Sequence, residues 1–318
     1  MKISIISLVP VAWTALVASA AVINTATPSL LSGPENDQRV TNGTVVAQGK
    51  APFLVRLNFV SGNSRGLCGG TIIDSKTIVT AGHCVYKTGT GQVRRPEDTY
   101  VYVGSVSSSD KRYIQPTGVI LHPDYDPHSF MNDIAVLRTP DLGLKSGSIE
   151  AIQVYTGDIA PKQAMEIYGW GTTKSHGTSL DNPSSLLTQT AYVSEPQACQ
   201  VIEPRYANAN GTQICTDANY NVGVDVCQGD SGTGSTIKKN GREYFAGLVS
   251  YGTNKNGEAT CGEAGSFGMY TRISPYLPWI SSITGNSYTG TPSSPSTTPS
   301  PTPVAEPPRT CLFFFICF

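Results

Sequence analysis

Thr80-Ala81-Gly82-His83-Cys84, Asn132-Asp133-Ile134-Ala135-Val136-Leu137 and Gly229-Asp230-Ser231-Gly232 lie far apart in this chain, and in that order they supply a histidine, an aspartate and a serine. Acyl transfer by a hydroxyl nucleophile requires that trio. A serine hydroxyl is a poor nucleophile at neutral pH, so Ser231 needs a base within hydrogen-bond reach, and histidine has a suitable pKa without heavy tuning. Of the four histidines, His122, His128 and His176 stand in loop-like settings such as Leu121-His122-Pro123-Asp124, where an exposed ring is the plainer reading. His83 is therefore the candidate base. Asp133 is the candidate partner for its second ring nitrogen. The alternative is a solvated turn acid after Asn132, but the apolar run Ile134-Ala135-Val136-Leu137 places Asp133 at a buried loop-to-strand boundary.

Outward from these strings, the chain reads as short segments rich in Val, Ile, Thr and Tyr, broken by Gly, Pro, Asn and Ser. The segments are 53–59, 70–73, 77–80, 100–104, 166–170, 245–251 and 268–273. This spacing predicts an all-β body. Helical periodicity appears only over 275–283, where Tyr276, Leu277, Trp279, Ile280 and Ile283 make one apolar stripe. No internal repeat is evident.

The 318 residues are 39% hydrophobic and 14% charged, with a formal net charge of -1. Nothing in that balance favours nucleic acid or acidic lipid as a partner. Residues 1–20 carry an early Lys2, an apolar stretch over 3–17 and Ala18-Ser19-Ala20, the pattern of a removed signal peptide. A membrane anchor is the alternative, but the apolar run is shorter than the roughly 20 residues a spanning helix needs. The expected location is therefore extracellular, where cysteines pair. Six of the eight cysteines lie in the main body, and Cys311 and Cys317 lie at the C-terminus. Spacing alone leaves the pairing of the six open.

With three such strings in this order, the chain resembles the trypsin-like serine peptidases over residues 40 to about 285. The resemblance implies two packed six-stranded antiparallel β-barrels of the chymotrypsin-like kind, with a junction near 145–160 and a short C-terminal helix. It implies a catalytic trio of His83, Asp133 and Ser231, with an oxyanion hole formed by the backbone N–H groups of Gly229 and Ser231. Glycine suits position 229 because no side chain then intrudes on the substrate. It also implies the bridges Cys68 with Cys84, Cys199 with Cys215, and Cys227 with Cys261, each contributing about 2 to 4 kcal/mol. Residues 21–39 look like a propeptide cut after Arg39. The new α-amine of Val40 would then pair with Asp230, because a buried carboxylate without a partner is costly. An ordinary Arg-Val in a flexible N-terminus is the plainer alternative.

The resemblance extends to specificity. Asp225, six residues before Ser231, would lie at the base of the primary pocket and attract Arg or Lys by charge-assisted pairing. Gly252, in Ser250-Tyr251-Gly252, and Gly268 match small wall positions. Val226 stands where a hydroxyl residue would help a lysine ammonium, so Arg is expected over Lys. The partners implied are protein or peptide substrates with Arg or Lys before the scissile bond, and protein inhibitors. No cofactor is expected, and no metal, since the acidic calcium-binding loop of some relatives is not evident in 103–114. The protein is expected to be a monomer without firm membrane association.

The chain also departs from the family. Thr233-Gly234 replaces the usual Gly-Pro after the nucleophile, which predicts about 1 to 3 kcal/mol of backbone strain at Thr233 or a shifted backbone. Gly82 replaces an alanine, a change expected to lose one methyl and little else. The segment 252–261 is longer than in digestive relatives. Asn42-Gly43-Thr44 and Asn210-Gly211-Thr212 are glycosylation sequons, and Asn42 lies close to the activation cut. Residues 286–318 form a Ser/Thr/Pro-rich tail, an extended segment open to O-glycosylation, that ends in the apolar Cys311-Leu312-Phe313-Phe314-Phe315-Ile316-Cys317-Phe318. A sticky interaction end, an unusual anchor and a misread gene end all remain open for that patch. Two other functional classes stand beside the enzyme: a catalytically silent relative that binds or inhibits another secreted protein, kept alive by Thr233-Gly234, and a tail-tethered cell-surface module.

Overall fold

Segments rich in β-branched and aromatic residues form strands, because such side chains pack well on a pleated surface. The computed structural model describes residues 43–61, 64–173, 182–220 and 223–288. They belong to one unit beginning at Gln38, and the unit Met1–Asp37 lies outside the described residues. The expected signal peptide, propeptide and apolar end therefore also lie outside them, as do Arg39, Val40 and Asn42.

The first half contains β1 (Thr44–Val45), β2 (Leu54–Ser61), β3 (Ser64–Asp74), β4 (Thr77–Thr80) and the one-turn helix α1 (Gly82–Val85). It continues through the small pair β5 (Tyr86–Lys87) and β6 (Gln92–Val93) to β7 (Thr99–Tyr102), β8 (Gly118–Leu121) and β9 (Ala135–Arg138). The second half holds β10 (Ala164–Gly169), β11 (Leu187–Tyr192), the one-turn helix α2 (Pro196–Cys199), β12 (Gln213–Asp217), β13 (Gly234–Lys239), β14 (Arg242–Asn254), β15 (Ser266–Arg272) and helix α3 (Leu277–Thr284).

These strands make two curled antiparallel sheets, one of six strands ordered β7-β2-β3-β4-β9-β8 and one of seven ordered β1-β11-β10-β13-β14-β15-β12. The bridge Val193↔Thr216 links the chain after β11 to β12 and closes the second sheet on itself. The seventh strand is β1, which crosses onto the second sheet by pairing Thr44 with Thr188 and Val45 with Leu187. Its two residues cover part of an edge that would otherwise expose unpaired backbone groups. The connection 139–163 between the halves contains the expected junction region.

Period-two alternation sends Val55, Leu57 and Phe59 of β2 into one core with Ile72, Ile78, Val101 and Leu137. Met165, Ile167, Ile214, Val226, Ile237 and Tyr270 fill the second. A third cluster spans both halves: Val79, Ile134 and Val136 pack with Trp170, Phe245, Leu248, Ile273 and the α3 residues Leu277 and Ile280. Each fully buried large side chain contributes about 1.5 to 3 kcal/mol, so this shared cluster holds the two sheets in one register. The predicted helical stripe divides into a 3-10 turn, Ser274–Tyr276, followed by α3. Gly285, left-handed at φ 74°, ends α3. The disulfides are Cys68–Cys84, Cys199–Cys215 and Cys227–Cys261, the pairs that the resemblance implies.

Candidate active site

Strand register brings His83 and Asp133 together. β4 pairs with β9 so that Thr80 faces Ala135, which leaves His83 three residues beyond the end of one strand and Asp133 two before the start of the other. The Asp133 carboxylate is fully buried. Its Oδ2 accepts from His83 Nδ1 at 2.8 Å and from Ser250 Oγ at 2.5 Å, while its Oδ1 accepts from the His83 backbone N–H at 2.7 Å. Burial pulls the imidazole toward a lower pKa, but the Asp133 charge and hydrogen bond outweigh it, leaving His83 above its ordinary value. Cys68 and Cys84 lie near His83, but their disulfide occupies both sulfurs, so this cluster offers no thiolate to a metal.

Ser231 sits in a turn that both sheets hold. Its carbonyl accepts from Gly69 N–H of β3 at 2.8 Å, and Gly232 N–H donates to Val249 O of β14 at 2.7 Å. Gly232 has φ 77°, and a Cβ there would lie 2.3 Å from Thr80 Oγ1, so no other residue fits. Gly229 is also left-handed, at φ 101°. Among the described residues, the N–H groups of Gly229 and Ser231 enter no hydrogen bond. His83 and Ser231 line one cavity of about 430 Å³, although Ser231 Oγ is not hydrogen-bonded to His83 in this structure. Contacts of this kind tighten when substrate binds.

Asp230 points the other way, into the interior. Its oxygens accept from Gly171 N–H at 2.7 Å and Cys227 N–H at 2.8 Å. Burial pushes its carboxyl up to about 7, against those two hydrogen bonds. Asp225 is likewise buried and pushed up to about 7 by desolvation, opposed by Val226 N–H, Ser266 and Gly262 N–H. Val226, Tyr251 and Gly252 line the cavity, whereas Asp225 and Gly268 are not on its lining. A Cβ at Gly268 would lie 2.8 Å from Asp225 Oδ1, so the glycine makes room for the carboxylate itself. Ser250 lines the cavity, but its hydroxyl is committed to Asp133. Asn210 is exposed, with Oδ1 accepting from Ile159 N–H at 2.7 Å and Nδ2 donating to Ile159 O at 3.3 Å.

The strain predicted at Thr233 is not there. The described non-glycine residues with left-handed φ are Phe130, Asn132, Lys162 and Asn240. Thr233 N–H donates to Asp230 O, closing the turn around Ser231, and its carbonyl accepts from Val249 N–H of β14, each at 3.0 Å. Room for its branched side chain comes from Gly69, where a Cβ would lie 2.0 Å from Thr233 Oγ1. Gly82 also differs from expectation. A Cβ there would lie 3.0 Å from Leu121 Cδ1 and 3.1 Å from Ile134 N, so an alanine would need its neighbours to give by a few tenths of an ångström.

Phe130 and Thr260 are among the lining residues that escape sequence reading. Phe130, strained at φ 54°, sets its ring edge-on to His83 at 5.7 Å and packs on Tyr251 at 5.2 Å. Thr260 is 4% exposed, and its buried Oγ1 has no hydrogen-bond partner. Their only sequence signal is adjacency, Phe130 to Asp133 and Thr260 to Cys261.

A fold of two antiparallel barrels, with these groups converging where they meet, defines a serine endopeptidase of the trypsin-like class. Residues 40–280 match the family described as Trypsin, and the chain belongs to that family. It is 30% identical over 246 residues to trypsin of Sus scrofa, covering 77% of this chain and 96% of that one. It is 29% identical over 268 residues to serine protease 1 of Homo sapiens, covering 84% and 98%. Anionic trypsin of Canis lupus familiaris is 29% identical over 254 residues, covering 80% and 93%.

Proposed function

We propose that this protein is a secreted endopeptidase, made as a zymogen and activated by cleavage after Arg39, that cuts peptide bonds after Arg and, less well, Lys. The observation that carries the reading is the Asp133 carboxylate, which takes three hydrogen bonds, two of them from His83, beside a cavity that His83 shares with Ser231. In this reading His83 Nε2 accepts the Ser231 proton as Oγ bonds to the scissile carbonyl carbon. The carbonyl electron pair moves to oxygen, where the N–H groups of Gly229 and Ser231 stabilise it by roughly 3 kcal/mol each. Collapse expels the amine, which takes the proton from His83 and leaves an ester on Ser231. Water then repeats the sequence and frees the acid. Asp133 holds the imidazole tautomer and stabilises the imidazolium.

Asp225 supports the basic preference. Burial makes its charge costly, and a guanidinium supplies a charge-assisted, two-pronged partner that an ammonium does not. Asp230 supports activation by the same logic, since the Val40 amine released by cleavage would neutralise it. The apolar leader and three disulfides support secretion. Ordinary backbone at Thr233 removes the feature on which a silent binding homologue rested.

The test is hydrolysis of paired Arg and Lys peptide amides by protein trimmed to begin at Val40, with Ser231→Ala as control. Turnover with Arg above Lys, none after aromatics and none by the variant is the expected result. No turnover by correctly bridged protein, or turnover that survives Ser231→Ala, would overturn the reading.

A further inference from the structure

Asn132, immediately before Asp133, has φ 54°, a left-handed backbone that asparagine tolerates but does not require. Something must therefore hold it there. Its Oδ1 accepts from Tyr276 Oη at 3.0 Å, and its Nδ2 donates to Asp124 O at 2.8 Å. Its carbonyl accepts from Ile134 N–H at 2.7 Å, closing a tight turn around Asp133. On the other side, the Asp133 carbonyl accepts from Thr271 Oγ1 of β15 at 2.9 Å. Tyr276 itself is 5% exposed, seated in the 3-10 turn before α3, with the His122 ring edge-on at 5.4 Å. The C-terminal segment thus grips the loop that carries the acid from 144 residues away.

We propose that Tyr276 is a positioning residue for catalysis: through Asn132 it fixes the backbone turn that aims the Asp133 carboxylate at His83. This rests on the reading of Asp133 and His83 given above. The left-handed turn sets the direction in which Asp133 leaves the backbone, and its Oδ2 must stay at 2.8 Å from Nδ1 for the imidazole to keep its tautomer. Loss of the Tyr276 hydroxyl frees Asn132 to relax toward ordinary φ and swings the carboxylate, and misplacement at a reacting centre lowers the rate. The titratable groups facing Asp133 are His83, Tyr125, Tyr251 and Tyr276.

The experiment compares Tyr276→Phe with wild type in the full chain activated by cleavage after Arg39. Phenylalanine keeps the packing against His122 and removes the hydroxyl, which donates to Asn132 and also meets the Thr212 side chain. kcat on the Arg amide is expected to fall roughly 10-fold with KM unchanged, one hydrogen bond's worth of positioning. The acidic limb of the rate profile should move to lower pH as His83 loses part of its Asp133 contact. Asn132→Ala should show the same loss, and the double variant should lose no more than Asn132→Ala alone. Wild-type kcat and acidic limb in Tyr276→Phe, losses that add in the double variant, or a lowered melting temperature with unchanged kcat would each overturn the proposal. NMR titration of the His83 ring reads it without turnover. If wild type cleaves no amide, the reading of the site falls, while an unchanged His83 pKa in Tyr276→Phe sinks the positioning role separately.

Discussion

Replacing Asp230 with Asn in the uncut chain, in a Ser231→Ala background that prevents self-cleavage, should remove the pH dependence that this one carboxylate imposes. Asp230 is 1% exposed and sits at about 7 because burial disfavours its charge, against an ordinary 3.8. A folded-state value raised above the unfolded one means that the folded chain holds the proton more tightly. The stabilisation is full below about pH 4 and is lost as pH rises through 7. The gap corresponds to roughly 4 kcal/mol, and relaxation around the charge trims it to roughly 2 to 4 kcal/mol. Asparagine does not titrate, but its amide cannot accept from both Gly171 and Cys227, which leaves one N–H unpaired at a cost of about 1 to 3 kcal/mol at every pH. Asp230→Asn should therefore be the less stable protein at pH 4 and draw level with or pass its parent by pH 8. Urea unfolding with disulfides intact, at five pH values from 4 to 8, reads the difference. Asp225 titrates in both proteins and largely cancels. A difference that stays constant across this range, or widens with pH, would refute the argument from burial. Cleavage after Arg39 should invert the order at pH 7, because the new amine gives the charged carboxylate a partner.

Thr260 and Gly69 supply two further tests. Thr260→Phe should fill the cavity wall and lower kcat/KM for Arg amides by roughly 100-fold or more, while a small phosphorylating reagent still labels Ser231 at the parent rate; unimpaired Arg hydrolysis would place Thr260 off the substrate's path. Gly69→Ala should destabilise by about 1 to 3 kcal/mol through collision with Thr233, and adding Thr233→Gly should recover part of that. Thermal midpoints of the four proteins measure the coupling, and strict additivity would show that the two residues do not meet.

Much of the architecture was legible because strand propensity is local. Residues 77–80 read as a strand and form β4 with the same bounds, since Thr-Ile-Val-Thr is β-branched throughout and fully buried. β11, β12 and β13 escaped because runs such as Leu-Thr-Gln-Thr-Ala-Tyr are interleaved with polar residues whose partners lie on distant strands. The strain expected at Thr233 failed for the same kind of reason. A side chain's room depends on what faces it, and Gly69 is 164 positions away in the chain.

Order and spacing of three short strings by themselves determined which histidine, aspartate and serine to compare, because the chemistry needs those residue types and few candidates exist. Only tertiary structure decided that the Ser250 hydroxyl serves Asp133 rather than facing the cavity alone, that Asp225 lies off the cavity lining, and that Tyr276 reaches Asn132. Those facts arise from strand register and inter-sheet packing, which join Ser250 to Asp133 across 117 positions and Tyr276 to Asn132 across 144, and leave no trace in the local composition of either partner.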